Sequence, residues 1–426
     1  MSVSVRLGAY AAGLAVAALA GSAASASAAY TVPAFYNPPA SLPAANGTLI
    51  KSEPMSLGGG LNAKGTRLMY KSTDENGLPA AVTGTYLEPT RPWTGSGPRP
   101  LVSYAEGTQG QGDACAPSRT LQSTLVLDQG QAAVGYEVLG IGGFLDKGIP
   151  VVVTDYIGLG TPDRVHSYTD RLDMGRAVLD AARAAKQLPV AAITGSTPIG
   201  LYGYSQGGGA SASAAELAPS YAPDLNLKGA FAGAPPADLF ATLKQADGTS
   251  LTGVLGYAIN GLVQYRPELK ATLDAETNDK GKAALAKAAD QCIGDSLLSF
   301  AFQKTNAWTV SGKPAWQVVE GIPSAMQAID EQRIGKLKPS IPVQVLTGTK
   351  DDIVPHAQAK QLALDWCAKG ADVNYVPVNQ IFGSGGTSLN HLGPMLTNKD
   401  SSQAWLINQL KGQGAAGNCA KVSSMP

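Results

Sequence analysis

Residues Pro198 to Leu217 read Pro-Ile-Gly-Leu-Tyr-Gly-Tyr-Ser-Gln-Gly-Gly-Gly-Ala-Ser-Ala-Ser-Ala-Ala-Glu-Leu. The apolar run Ile199 to Tyr202 has the length and bounds of a buried strand. The small residues from Gly207 to Ala215 suit a helix packed tightly against a sheet. Between them lies Gly203-Tyr204-Ser205-Gln206-Gly207, a Gly-x-Ser-x-Gly pattern. Its spacing has a steric reason: a serine on a sharp strand-to-helix turn leaves no room for Cβ atoms two residues before and two after it. In a chain with 50 glycines the five residues alone carry little. Their setting makes Ser205 a candidate nucleophile, against the plainer reading of a glycine-rich turn with a spectator serine.

Further short apolar runs with turn residues at their ends lie on both sides: Pro100 to Ala105, Ile149 to Thr154, Leu227 to Ala232, Ile341 to Thr347 and Val373 to Val378. They read as buried parallel strands, and the alternating Ala80 to Leu87 as an early strand. Met174 to Lys186 places Met174, Val178, Ala181 and Ala185 on one helical face. Strands alternating with such helices imply βαβ units and a parallel sheet. The Pro- and Gly-rich residues 30–65 are expected to wrap the surface. From Pro235 to Lys338 there is helical patterning and no clear strand, with helices expected over Ala283 to Gln291 and Ser324 to Ile334. A structureless loop of that size is implausible, so the segment reads as an inserted helical cap. Its Leu255, Ile259, Leu262, Val263, Leu297, Phe300 and Phe302 either pack within the cap or line a site for an acyl chain. The fold expected is therefore α/β, an α/β-hydrolase with a mostly parallel central sheet. The expected divisions are 1–28 an export signal, 29–234 the first part of the core, 235–338 the cap, and 339–426 the second part of the core.

Composition narrows the function classes. Hydrophobic residues at 44% in a 426-residue chain can bury a sizeable core. Lys+Arg and Asp+Glu both number 32, so the basic surplus of a nucleic-acid binder is lacking. Arg6, the apolar Leu7 to Gly21 and the small residues around Ala24-Ser25-Ala26 and Ala26-Ser27-Ala28 follow the grammar of a cleaved secretory signal. The apolar run is short for a bilayer span of roughly 20 residues. In an exported chain, Cys115, Cys292, Cys367 and Cys419 read as two disulfides, with three pairings open. No Cys-x-x-Cys spacing or other ligand cluster suggests a metal, and no motif suggests an organic cofactor.

A serine hydroxyl needs a base, and after such an elbow the chain order is nucleophile, acid, histidine. The chain has three histidines, His166, His356 and His391. His356 follows Asp351-Asp-Ile-Val-Pro355 too closely and reads as the start of a helix. His391 lies beyond a strand and the loop Gly383-Ser-Gly-Gly386, which can deliver an imidazole over the sheet edge. His166 reads as a loop residue near the pocket. Asp351 follows the strand ending at Thr347, where a carboxylate can hold the imidazole tautomer. Its neighbour Asp352 reads as a helix-capping or solvated carboxylate. For the oxyanion, the Gln206 N–H is one expected donor, and a backbone N–H of Glu106 or Gly107 the other.

With these residues in hand, the chain resembles the secretory lipase family. The shared stretches include Phe35-Tyr-Asn-Pro-Pro39, Asp113-Ala-Cys-Ala-Pro-Ser118, Asp155-Tyr-Ile-Gly-Leu-Gly160, the Ser205 elbow, Ser220-Tyr-Ala-Pro-Asp-Leu-Asn226, Asp351-Asp-Ile-Val-Pro355, Cys367-Ala-Lys-Gly370 and Asn390-His-Leu392. The resemblance implies a helical cap over the site, hydrolysis of acylglycerols or related esters, and disulfides Cys115–Cys292 and Cys367–Cys419. The expected partners are small ester or lipid substrates, with transient contact to a lipid interface, no nucleic acid, and a monomeric chain. Acyl transfer or peptide cleavage on the same triad is the competing enzymatic reading. A silent binding or cell-envelope protein is the non-enzymatic one, against which the intact Ser, Asp and His in order argue.

Overall fold

The short apolar runs become strands of one nine-stranded sheet in a computed structural model that describes residues 31–58, 60–122, 125–128 and 131–426. The expected export signal over 1–28 lies outside the described residues. The strands are β1 (Leu49–Met55), β2 (Ala63–Thr73), β3 (Pro79–Pro89), β4 (Leu101–Ala105), β5 (Leu125–Asp128), β6 (Gln131–Val134), β7 (Val151–Thr154), β8 (Ile199–Tyr204), β9 (Leu227–Gly233), β10 (Val343–Gly348) and β11 (Val373–Val378). The large sheet runs β1-β2-β3-β7-β4-β8-β9-β10-β11, and β5 and β6 form a separate hairpin. From β7 to β11 every neighbour is parallel, whereas β1, β2, β3 and β7 pair antiparallel. This is the mostly parallel α/β-hydrolase sheet the sequence led us to expect.

The expectation that residues 30–65 only wrap the surface is corrected: β1 and the start of β2 lie there. Lys51, Glu53 and Pro54 hide β1 from a pattern search, and such residues are at home on an edge strand. Arg67 on β2 answers Glu53 across the pair at 2.6 Å.

Central strands are buried on both faces, and the period of two divides their side chains. Leu201 and Val152 pack with Met174, Val178 and Leu362 on one face. Tyr202, Val151 and Val153 pack with Phe144, Leu406 and Leu410 on the other. The helices responsible are Arg171–Ala185, Gln206–Tyr221 and His356–Ala368 on the first face, and Val138–Leu145 and Lys399–Leu410 on the second. Register aligns the C-terminal strand ends. Ala105 pairs with Gly203 and Thr154, and Gly233 with Tyr204 and Leu346. Ligand sites of open α/β sheets lie at that edge.

Between β9 and β10 the described residues 235–338 hold seven α-helices and no strand: Leu239–Ala246, Val254–Tyr265, Pro267–Glu276, Asp279–Ala289, Ile293–Phe300, Ala315–Glu320 and Pro323–Glu331. They carry their own apolar clusters, one around Tyr257, Phe300 and Trp308, the other around Leu269, Leu273 and Ile329. A disulfide joins Cys292 of this segment to Cys115 in the loop after β4. Backbone bonds reinforce it, from Gln111 N–H to Gln291 O at 2.9 Å and from Ile293 N–H to Gln109 O at 2.8 Å. A second disulfide, Cys367–Cys419, ties the C-terminal tail to the helix His356–Ala368.

Candidate active site

Ser205 sits where β8 turns into the helix Gln206–Tyr221, with φ 57° and ψ −123°. A non-glycine residue there is strained, and surrounding contacts must hold it. Its N–H donates to Gly233 O at 2.9 Å and its carbonyl accepts from Gly209 N–H at 3.0 Å. The flanking glycines are required by space. A Cβ on Gly203 would lie 2.1 Å from Gly207 O, and one on Gly207 would lie 2.0 Å from Ala105 O. The sequence therefore folds this way locally because backbone passes where side chains would stand.

His391 is 1% exposed and lies in the first turn of the helix Leu389–Thr397, just after the loop expected to carry it. Its Nε2 is 2.9 Å from Ser205 Oγ and its Nδ1 2.8 Å from Asp351 Oδ2. The other Asp351 oxygen accepts from the N–H groups of Ile353 at 3.0 Å and Val354 at 2.9 Å. Tyr204 donates its hydroxyl to His391 O at 2.7 Å. Of the two readings of Asp352, the helix-capping one holds, at the N-terminus of the helix Leu389–Thr397, and the solvated one does not. Asp352 is buried, and its two oxygens accept from Ser388 N–H at 3.0 Å and His391 N–H at 3.1 Å. One aspartate thus meets the imidazole and its neighbour holds the backbone carrying it. A hydrogen-bonded chain of this kind can move the Ser205 proton to Nε2 while Asp351 fixes the Nδ1–H tautomer. His356 stands apart, half-buried against Tyr375.

One of the two backbone donors expected from the loop after β4 is engaged elsewhere. Gly107 N–H donates to Glu137 Oε1 at 2.8 Å, so it is not aimed at Ser205. Glu106 is buried behind the loop, its carbonyl accepting from the Tyr156 hydroxyl at 2.7 Å. Burial, then Glu137 and Asp155, push its carboxyl well above the usual range. Thr108, the next residue on, lines the cavity beside Ser205 and Gln206. Its hydroxyl lies 2.7 Å from that of Tyr168. Gln206 opens its helix, so its N–H has no intrahelical acceptor.

His166 has a role that sequence reasoning missed. It is fully buried, with Nδ1 2.9 Å from Ile157 O and Nε2 3.0 Å from the Gln206 side-chain amide. A carbonyl only accepts, so Nδ1 carries the hydrogen and Nε2 takes one from the amide. Burial lowers its pKa to about 4, which keeps the ring neutral. A loop histidine 39 residues before the nucleophile (205 minus 166) gives no pattern that could have announced this contact.

A cavity opens onto Ser205. Its walls are mainly apolar cap side chains, among them Leu243, Leu255, Ile259 and Leu262. Of the apolar cap residues singled out from sequence, Val263 and Phe300 pack within the cap, while Leu297 and Phe302 are exposed. Among the described residues no group of three or more His, Cys, Asp or Glu could hold a metal ion.

A family model described as secretory lipase matches residues 123–418. Lipase 5 of Candida albicans is 29% identical over 406 residues, covering 91% of this chain and 82% of its own. A probable inactive lipase of Mycobacterium tuberculosis is 30% identical over 354 residues, covering 80% of this chain and 75% of its own. The solved structure of Candida antarctica lipase A in its closed state superposes with a TM-score of 0.77 at 23% identity, covering 91% of this chain and 88% of that one. The rice cell wall degrading esterase LipA from Xanthomonas oryzae does so with a TM-score of 0.68 at 18% identity, covering 86% of this chain and all of that one, 100%. These superpositions place the fold among the α/β-hydrolases. With more than half of its length matched by the family model, the chain belongs to the secretory lipase family and, with it, to the lipase-like carboxylic-ester hydrolases.

Proposed function

We propose that the protein is exported and cleaves acylglycerols or related esters through an acyl-enzyme on Ser205. The observation that carries this reading is the unbroken chain from Ser205 Oγ to His391 Nε2, 2.9 Å, and from His391 Nδ1 to Asp351, 2.8 Å. In this mechanism His391 takes the Ser205 proton as Oγ attacks the ester carbonyl. It then gives that proton to the departing alcohol. Water, activated by the same imidazole, releases the acid. Asp351 orients the ring and stabilises its charged form. The oxyanion is received by the Gln206 N–H and by Thr108, with Gly107 excluded by its bond to Glu137.

The cap cavity holds the acyl chain, since its walls are apolar and it opens at the nucleophile. Two disulfides support an oxidising destination. Leu298 and Phe302 on the cap, with Ile381 and Leu389 near His391, are exposed and support contact with a lipid interface. The name of the mycobacterial relative speaks of that protein; the intact serine, histidine and aspartate here support an active enzyme. The test is p-nitrophenyl ester hydrolysis by the mature protein and by Ser205→Ala. The variant should keep its circular dichroism and melting temperature and lose on the order of 10⁶ in turnover. Wild-type rates in a folded Ser205→Ala would remove Ser205 from the mechanism.

A further inference from the structure

The loop that carries Thr108 lies directly on the nucleophile elbow. A Cβ on Gly207 would lie 2.0 Å from Ala105 O and 2.9 Å from Glu106 C, and one on Gly107 would lie 3.3 Å from Tyr204 O. A loop keeps one shape only where its peptide groups are held. Here buried side chains hold two peptide groups. The peptide joining Glu106 to Gly107 is fixed at both ends: its carbonyl accepts from the Tyr156 hydroxyl at 2.7 Å, and its N–H donates to Glu137 Oε1 at 2.8 Å. The carbonyl of Thr108 accepts from the Tyr136 hydroxyl at 3.1 Å. Between these two fixed peptides stands the Thr108 N–H, which finds no acceptor among the described residues.

Glu137 is the member of this frame that the sequence announces least. It stands just before the helix Val138–Leu145 and is buried. Burying a carboxyl group is costly unless hydrogen bonds answer its oxygens. The Tyr104 hydroxyl answers Oε2 at 2.7 Å, and Gly107 N–H answers Oε1. Space enforces the second bond. A Cβ on Gly107 would lie 2.5 Å from the Tyr136 hydroxyl and 3.1 Å from Glu137 Oε1, so a glycine lets the loop come this close.

We propose that Glu137 is a positioning residue of the oxyanion hole: with Tyr156 it locks the Glu106–Gly107 peptide, so that the next N–H, that of Thr108, points to the oxyanion. The inference rests on the mechanism proposed above for Ser205. Glu137 touches no reacting atom and acts through the loop alone. A donor already aimed where charge develops needs no reorganisation during the reaction. Without the Glu137 oxygen the peptide is free to turn, and the Thr108 N–H loses its direction. The oxyanion forms both when Ser205 is acylated and when water releases the acid, so the two steps slow together. Binding of the acyl chain between cap side chains does not draw on this bond. The loss therefore falls on kcat rather than on KM.

The experiment compares wild type, Glu137→Ala, Glu137→Gln and Tyr156→Phe in p-nitrophenyl butyrate hydrolysis. Rates are expressed per active site titrated with a fluorophosphonate, which removes the contribution of misfolded protein. Glu137→Ala should lower kcat by on the order of tenfold to a hundredfold, with KM within about threefold of wild type. Glu137→Gln should recover most of this loss, because its amide oxygen still accepts from Gly107 N–H. The inhibition constant of butylboronic acid, which forms a tetrahedral adduct on Ser205 Oγ, should rise by the factor by which kcat falls. A purely structural role of Glu137 leaves both per-site quantities unchanged. Wild-type kcat in Glu137→Ala, or a Gln variant as slow as the Ala variant, overturns the proposal. If Glu137→Ala does not fold, Tyr156→Phe decides. It releases the other end of the same peptide and should lower kcat severalfold; wild-type kcat there overturns the proposal. Failure of the hydrolase reading shows separately, as hydrolysis that survives in Ser205→Ala, and would take this inference with it.

Discussion

His166 should make stability depend on pH in a way that can be isolated. In the folded protein burial holds its pKa at about 4, against an ordinary value of 6.5. Between those values the unfolded chain binds a proton that the folded chain refuses. Stability therefore falls as pH falls through that window, and the contribution is fully present only above it. A difference of 2.5 (6.5 minus 4) at 1.36 kcal/mol each gives about 3 kcal/mol as an upper figure. Asp113, Asp155 and Asp173 act in the opposite sense. Their pKa values are raised from 3.8 to about 6, chiefly by burial, so the stability they favour is present at low pH and is lost as pH rises through about 6. The whole-protein profile mixes both effects. The informative quantity is the difference between wild type and His166→Gln, which keeps an acceptor for the Gln206 amide and cannot titrate. Urea denaturation of both proteins from about pH 7 to about pH 4.5 measures it. At the upper end the variant should be the less stable by about 1 kcal/mol, for the lost bond to Ile157 O. That gap should shrink and reverse by the lower end, moving by about 2–3 kcal/mol in all. A gap that stays constant with pH would show that His166 is not held neutral and refute the argument. Protonation also turns the Nε2 lone pair into a donor facing the Gln206 amide, so activity should fall with stability.

Two other substitutions test the site and its frame. Asp351→Asn should lower turnover by on the order of 10⁴ by losing the correct imidazole tautomer. Asp352→Asn should cost far less in rate but lower the melting temperature, because it weakens the bonds to Ser388 and His391 N–H; the reverse ranking of rates would move the orienting role to Asp352. Replacing Cys115 and Cys292 by serine opens a link between residues 177 apart, which should cost about 2–5 kcal/mol in stability. It should also lower kcat/KM, since this link and two backbone bonds anchor the loop that presents Thr108; unchanged rates in a destabilised variant would show that the loop holds its shape without the cap.

The sheet was legible where strands are buried on both faces, because continuous apolar runs such as Val151–Thr154 and Ile199–Tyr204 have no other use. It was illegible at β1 and β2, where Lys51, Glu53 and Pro54 serve the edge rather than the core. Ser205 announced itself through steric demands that are local in sequence, since the glycines whose Cβ atoms would clash are two residues away on either side. His391 could be singled out because the chain offers so few histidines.

What sequence reading missed has a common physical form. Of the two N–H groups the sequence offers as a second oxyanion donor, Glu106 and Gly107, the latter is consumed by Glu137, 30 residues away. That Asp352 caps a helix is legible from its type, but which helix is not: it and Asp351 serve one residue, 39 positions away at His391 N–H in one case and 40 away at His391 Nδ1 in the other. His166 lies in a loop whose partner, Gln206, belongs to the elbow. Each of these polar groups is buried, and a buried donor or acceptor has to be satisfied somewhere. Local pattern says that the group exists; the sheet register and the cap decide which distant residue answers it.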